Sequence, residues 1–240
     1  MIIFGLNFGP VVAAAPALID GLWLTITISF AAIVFGGSVG LAAAVGRSLA
    51  PRRLKWPVDV YVEVMRNTPL LIQLYIIFLG LPALGIRFSP IEASIIGLTI
   101  NTGAYCTEIF RAGIESIHRS QIEAGLSLGL SRLQVVRYVV VVPAIIGVWP
   151  ALVSQFILLT LASSVCSFIS LEEISGAAYT IQSATFLNFE VYIVIGAMYL
   201  LLAAGLKSLL RLVGLYSFPG PSRRSLKKAM PSATAVRAQL

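Results

Sequence analysis

Charge is scarce in this sequence. Only 11% of the 240 residues are Asp, Glu, Lys or Arg, where a soluble domain carries about 25%. Hydrophobic residues make up 58%. That balance excludes an ordinary water-soluble domain. The length suits five or six membrane spans with short connections, as one domain. Histidine occurs once and cysteine twice. His118 has no second histidine or cysteine near it and reads as a surface loop residue. Cys106 and Cys166 are far apart in sequence, in apolar surroundings and without metal-ligand spacing. They read as two buried small apolar residues, not as a disulfide or a metal site. No Gly-x-x-x-x-Gly-Lys-Ser/Thr stretch occurs, so the chain is not expected to bind ATP through a P-loop. No His-Glu-x-x-His helix nominates a metal residue. No lysine or arginine precedes Arg47, so the basic start of a cleavable signal is missing and the first apolar segment is expected to stay as a span. The net charge is +7. Its basic residues gather at span ends and in a tail, which points to membrane topology and away from nucleic acid.

What is present is a series of apolar runs. Residues 1–15 suggest a short helix on the outer surface. Gly21 to Gly46 holds no charge and is the first span; at about 1.5 Å per residue it crosses a core of about 30 Å. Gly36, Gly37 and Gly40 mark a face that meets another helix. A basic loop follows with Arg47, Arg52, Arg53 and Lys55. The second span is expected from Val58 to Leu84. Asp59, Glu63 and Arg66 share a helical face near its start, where Glu63 and Arg66 are spaced to pair; this face is either a solvated cytoplasmic helix end or part of a gate. The third span is read from Ile91 to Ala112. Its polar groups Asn101, Thr102 and Tyr105 either line a pathway or hydrogen-bond between helices. Glu108 lies a turn from the cytoplasmic end. It is a functional group at membrane depth, a group reaching the interface, or a partner of Arg111. The uncharged run from Tyr138 to Leu171 is too long for one straight span. Pro143 and Pro150 are expected to kink it or delay its start, so the fourth span is placed at Val140 to Val165, with an outer re-entrant or surface segment after it. Gln155 and Thr160 are its polar candidates. Ser167 to Glu190 has no basic residue, and Glu172, Glu173 and Glu190 give it a negative balance. The fifth span runs from Phe189 to Leu210, ended by Gly214, Pro219, Gly220 and Pro221. A basic, disordered tail follows with Arg223, Arg224, Lys227, Lys228 and Arg237.

Lysines and arginines alternate between rich and poor loops. Four follow the first span, one (Arg87) the second, several the third and none the fourth, and the C-terminal region is rich. The positive-inside rule then puts the N-terminus outside, the C-terminus in the cytoplasm, and the loop after the third span in the cytoplasm.

That loop, Gln121 to Pro143, is a polar island. Read as a helix, Ile122, Gly125, Leu126, Gly129, Leu130 and Leu133 fall on one face, and Ser120, Glu123, Ser127, Ser131 and Gln134 on a neighbouring one. Gly125 and Gly129 would allow another backbone close approach. Glu123-Ala124-Gly125, then Gly129, then Pro143 resembles the EAA loop of ATP-binding cassette importer permeases. Gly125 replaces the commoner second alanine, and Pro143 sits one residue later than usual. Within that family the polar amino acid permeases are especially similar. Their Glu-Ile-x-Arg-x-Gly-Ile stretch stands here as Glu108-Ile109-Phe110-Arg111-Ala112-Gly113-Ile114, and their Arg-Gly-Thr-Pro as Arg66-Asn67-Thr68-Pro69. Gly21-Leu22, Thr25 and Gly40 match the opening of the permease domain. Thr160-Leu161-Ala162-Ser163-Ser164 stands where relatives have Lys-x-Thr-Ser-Leu, so the lysine is missing. Glu172-Glu173-Ile174 takes the place of a later Glu-Leu pair.

The resemblance spans about Gly21 to Val213. It implies an all-α integral membrane protein of the type I ABC importer permease fold, with about five transmembrane helices and a cytoplasmic coupling helix. The domains would be an extracytoplasmic segment 1–20, a permease domain 21–213 and a basic cytoplasmic tail 214–240. The implied machine sits in the bacterial inner membrane. It holds two ATP-binding cassette ATPase subunits, which bind the ATP, a second permease subunit (the same chain or a homologue), and an extracytoplasmic binding protein. The chain itself needs no cofactor. Glu123, Ala124, Gly125 and Gly129 are then the docking residues for the ATPase, and Asn101, Tyr105, Glu108 and Gln155 the candidates for the substrate pathway. Polar or charged amino acids are the implied substrates, with opines an alternative. A secondary transporter or channel would work without an ATPase and often shows inverted repeats, of which none is evident. An intramembrane enzyme would need a nucleophile and base that are not found.

Overall fold

A computed structural model describes residues 2–3, 6–51 and 55–218. Arg52, Arg53 and the basic tail from residue 219 lie outside the described residues. The chain begins with a two-stranded antiparallel ribbon, β1 (Ile2–Ile3) and β2 (Leu6–Asn7), before the short helix α1 (Gly9–Ala13). The expected outer helix is therefore only its second half. Among the described residues every regular element after it is helical: α2 (Ala15–Leu49), α3 (Trp56–Asn67), α4 (Leu70–Tyr75), α5 (Pro90–Glu115), α6 (Arg119–Ser127), α7 (Arg132–Gln134), α8 (Val142–Ala162), α9 (Ile174–Thr185) and α10 (Asn188–Ser217).

The centre of the fold is α2 lying along α5. The buried face of α2 is a stripe of small residues that includes Gly21, Thr25, Ser29, Ala32, Gly36, Gly40 and Ala44. A Cβ on Gly40 would stand 2.5 Å from that of Cys106, and one on Gly36 2.8 Å from that of Thr102. The expected packing face is thus real, and its partner is α5. Without a hydrophobic drive between helices in lipid, this close approach is what gives them dispersion contact. Cys106 and Cys166 are free and buried. Thr102 turns toward α2, not into a pathway, and is fully buried.

The second span is broken. α3 meets the run Leu70–Leu84 at 108°. Pro69 has no N–H and pushes the residue before it out of the helical region; Thr68 is extended at φ −112°, ψ 133°. The buried Gln73 then takes up carbonyls left open at the elbow. Its Nε2 donates to Met65 O at 2.9 Å and to Thr68 O at 3.0 Å. From Tyr75 the helix widens into a π-helical turn, Ile76–Gly80, and tightens into a 3₁₀ turn, Leu81–Leu84.

The fourth span starts earlier and runs further than proline placement suggested. A helix continues from Arg132 to Ile169, through a π-helical stretch at Val135–Val141, α8, and a 3₁₀ stretch at Ser163–Ile169. Pro143 falls directly after the π-helical stretch, and a widened turn accommodates an interrupted ladder without ending the helix. α10 also overruns its expected end. Gly214 is inside it, packed against the Trp149 ring of α8, whose Nε1 donates to Leu210 O at 3.1 Å. Gly214 is a packing position and not a stop.

Three helices among the described residues are long and apolar enough to cross a membrane, and the bent α3–α4 pair makes up to four. α5 has the length, 26 residues, but Asn101, Thr102, Tyr105, Thr107 and Glu108 interrupt its apolar run. A helix enclosed by α2, α3 and α8 does not need an all-apolar surface. Trp23 and Phe30 on α2 and Leu200 and Leu201 on α10 are exposed, as side chains facing hydrocarbon would be.

Candidate translocation pathway and coupling surface

Charges from three helices meet where α3 packs across the C-terminal parts of α2 and α5. Arg111 is the hub. Its guanidinium makes a two-point contact with Glu108, with Nε donating to Oε2 at 2.9 Å, and Nη1 donates to Glu115 Oε2 at 2.6 Å. Arg47 pairs with Asp59 and reaches Glu115 at 3.9 Å. Arg66 lies 4.0 Å from Glu108 Oε1 and over the Tyr105 ring, 5.4 Å from its centroid. The sequence spacing of Glu108 and Arg111 therefore does produce a pair. The spacing of Glu63 and Arg66 does not: among the described residues Arg66 turns away from its own helix toward α5. Tyr61 holds α3 there. Its hydroxyl donates to Ile100 O at 2.7 Å and occupies space that a side chain on Gly103 would fill.

Two adjoining cavities open at this crossing. One, of about 580 Å³, is lined by Arg47, Asp59, Glu63, Arg66, Tyr105 and Glu108, among others. The other, of about 490 Å³, is lined by Arg66, Asn67, Asn101, Tyr105 and Gln155. They share Arg66, Asn67 and Tyr105. All four pathway residues read from the sequence, Asn101, Tyr105, Glu108 and Gln155, line one or both. Asn101 is held by its Nδ2 donating to Gln73 Oε1 at 3.1 Å. Thr160, the other polar candidate of the fourth span, is buried with its hydroxyl on Phe156 O at 2.9 Å. The cavities present both signs of charge beside amide and phenol groups, so they suit a small ligand carrying both signs.

The polar island forms a shorter helix than its pattern suggested. α6 starts at His118, whose Nδ1 accepts from Ser120 N at 3.2 Å. It stops after Ser127, because Gly129 takes the left-handed conformation at φ +80°. Leu130 N then donates to Gly125 O at 3.2 Å, closing the helix end. Gly125 and Gly129 do not make a joint surface for a second backbone. Gly125 faces its own chain, where a Cβ would stand 3.2 Å from Val135 Cγ2 and 3.3 Å from Val139 Cγ2; Gly129 has nothing within 4 Å. Glu123 and Ala124 are exposed, as are Leu126, Leu128 and Leu133. Arg119 pairs with Glu123 at 3.4 Å. α6 is thus an exposed helix seated on the root of the long helix Arg132–Ile169.

Residues 36–214 match the family model of the binding-protein-dependent transport system inner membrane component. The chain belongs to this family. The permease is 34% identical over 184 residues to the probable amino-acid ABC transporter permease protein YckA of Bacillus subtilis (strain 168), covering 77% of this chain and 81% of the relative. It is 32% identical over 200 residues to the glutamine transport system permease protein GlnP of Escherichia coli (strain K12), covering 82% and 91%. Among solved structures, an amino acid ABC transporter with histidines superposes at a TM-score of 0.80 with 35% identity, over 87% of this chain and 98% of that one. The methionine transporter MetNI, at 21% identity and a TM-score of 0.67, shares the fold.

Sequence reasoning missed the most deeply buried acid in this permease. Glu173 had entered as part of a negative segment and of the Glu172-Glu173-Ile174 match, without a role of its own. It is fully buried. Oε1 accepts from the backbone N–H of Ser175 at 3.0 Å and of Gly176 at 3.1 Å. Oε2 accepts from Tyr199 Oη at 2.6 Å and Thr25 Oγ1 at 3.2 Å. The available signal was its position just before an apolar helix, where a carboxylate caps the first turn; nothing in the sequence located the other two donors. Tyr61 and Gln73 were likewise not singled out for the pathway.

Proposed function

We propose that this chain is the translocating permease subunit of an ATP-driven importer for polar or charged amino acids. The observation that carries the reading is the pair of adjoining cavities joined at Arg66, Asn67 and Tyr105. An amino acid carries a carboxylate and an ammonium group. Arg66 and Arg111 offer donors to the first; Glu63 and Glu108 offer acceptors to the second. Asn101 and Gln155 add neutral hydrogen bonds deeper in. The names of the relatives support the same class of substrate.

The permease works as one of two, the same chain or a homologue, with two ATP-binding cassette ATPases in the cytoplasm and an extracytoplasmic binding protein. The charge alternation of the loops supports an outer N-terminus and a cytoplasmic α6. α6 docks in the ATPase through Glu123, Ala124 and the apolar side chains Leu126 and Leu128, while Gly125 keeps it against its own chain and Gly129 closes it. The push of the ATPase on α6 passes to Val135 and Val139. From there no loop intervenes before Gln155, about 30 Å up the same helix. Gln155 lines the cavity, so a rigid displacement of α6 moves a wall of the pathway.

Proteoliposomes holding this chain with candidate ATPase and binding subunits test the reading. ATP-dependent uptake of a labelled amino acid is expected, and Glu123→Ala with Gly129→Asp is expected to leave assembly intact and separate ATP hydrolysis from uptake. Uptake that proceeds without any ATPase would mark a secondary transporter and overturn the proposal.

A further inference from the structure

α9 is the one helix between the fourth and fifth spans. It walls a cavity of about 640 Å³, lined by Ser167, Ser170, Glu172, Ser175, Tyr179 and Thr180 among others. Its opposite face is buried: Ile174, Ala177, Ala178 and Ile181 pack with Leu18, Val191 and Ile195. The junction at its start is polar, and Glu173 is at its centre.

We propose that Glu173 is a positioning residue that clasps α9 to α2 and α10 and so fixes the wall of this cavity. The carboxylate is fully buried, and among the described residues no lysine, arginine or histidine forms an ion pair with it. A charge so placed is tolerated only through its hydrogen bonds. It has four donors. Two are the first-turn N–H groups of α9. The others come from two further helices, Thr25 of α2 and Tyr199 of α10. Thr25 and Tyr199 also reach α9 itself: Ile174 N donates to Thr25 Oγ1 at 3.3 Å, and Tyr199 Oη lies 3.0 Å from Ser175 Oγ. The fit is tight on the α2 side. A Cβ on Gly21 would stand 3.0 Å from the carbonyl carbon of Glu173. Thr25 has one hydroxyl proton and two acceptors, Gly21 O at 3.0 Å and Glu173 Oε2 at 3.2 Å. Its bond to Glu173 can therefore be exchanged for one within α2, which keeps Thr25 paired and leaves the carboxylate its three other donors. The clasp is strong where Tyr199 closes it and releasable where Thr25 does. Placing this cavity on the route of an imported molecule rests on the transport reading above; the clasp itself does not.

The test separates a clasp from a simple helix cap, and it needs no transport. Ala177, buried on the packed face of α9, is replaced by cysteine as a reporter. Its reaction with a maleimide is followed in the full-length chain in detergent, with sites assigned by mass spectrometry. The native Cys106, buried between α2 and α5, serves as the comparator for global opening. Glu173→Asp keeps a carboxylate at the N-cap of α9 but is one methylene too short for Tyr199. Tyr199→Phe removes only the hydroxyl. Both are expected to speed labelling at position 177 by about tenfold, the factor that losing a hydrogen bond to a charged group gives, with Cys106 still protected. Glu173→Gln, which keeps the reach and loses the charge, is expected to fall between them and the parent. If Glu173→Asp labels like the parent, Glu173 is only a cap and the proposal fails. If Cys106 opens in step with position 177, the residue serves general stability and the proposal fails as well.

Discussion

The guanidinium carbon of Arg66 lies 5.4 Å from the centre of the Tyr105 ring, and these two side chains are the seam between the two charged cavities. Arg66 comes from the last turn of α3, just before the elbow at Pro69; Tyr105 comes from the middle of α5. A cation over an aromatic face is worth about 0.5–2 kcal/mol, most when water is excluded. The contact holds the arginine out over the cavity while leaving its hydrogen-bond donors unspent.

Tyr105→Phe keeps the ring and is expected to retain most uptake in reconstituted vesicles. Tyr105→Leu and Arg66→Ala are each expected to lower uptake by about tenfold, and the double variant by little more than either alone, as for two residues acting as one unit. Additive losses would show that the seam has no joint role. Arg66→Lys is expected to resemble Arg66→Ala, because an ammonium lacks the planar fork.

Arg111→Met leaves two carboxylates without their shared partner. Glu108 is 30% exposed at its side chain and Glu115 55%. Losing the Glu108 contact therefore weighs more, and Arg111→Met is expected to cost about 1–2 kcal/mol in a denaturant titration. Glu115→Gln is expected to cost less than about 0.5 kcal/mol, with an effect that fades in salt.

Gly40→Ala forces a methyl group into Cys106 across the α2–α5 contact. Overpacking of that kind costs about 1–3 kcal/mol. Gly46→Ala, six residues on, meets nothing within 4 Å and is expected to be neutral or slightly stabilising. Thermal unfolding of the two variants side by side checks the contrast. Equal melting temperatures would mean that α2 and α5 are not packed this closely.

α6 offers a separation of structure from coupling. Gly129→Ala is expected to cost about 1 kcal/mol, because φ is +80° and a Cβ is strained there. Gly125→Leu is expected to lift α6 off Val135 and Val139 and to lower both stability and coupling. Glu123→Ala leaves the fold untouched and is expected to weaken the response of ATP hydrolysis to substrate. A loss of stability in Glu123→Ala, measured by thermal unfolding, would contradict the exposed position of that side chain.

Much of this arrangement was legible in one dimension. Uncharged runs located the long helices, and the i, i+3 spacing of Glu108 and Arg111 put their ion pair among the open readings, because both are local properties of a helix. The small-residue stripe on α2 announced a packing face. What failed was anything that depended on how a break is absorbed. Pro143 looked like a boundary, yet a π-helical stretch carries the helix through it. Thr68-Pro69 looked like the inside of a span, yet Gln73 supplies the hydrogen bonds that let the chain turn by 108° there. Gly125 and Gly129 looked like a pair; one is a contact with Val135 and Val139 and the other a helix stop.

The sequence by itself determined the class of molecule, the helices and the exposed loop, because hydropathy, helical period and the scarcity of charge are properties of neighbouring residues. Only the tertiary structure decided which polar groups meet. Arg66 leaves its own helix for Glu108 and Tyr105, Asn101 and Gln155 come to one cavity from two helices, and Thr25 and Tyr199 reach Glu173 from opposite ends of the chain. In an apolar interior each buried polar group must find a partner. Which partner it finds depends on how helices cross, and that is settled by packing across contacts far apart in sequence.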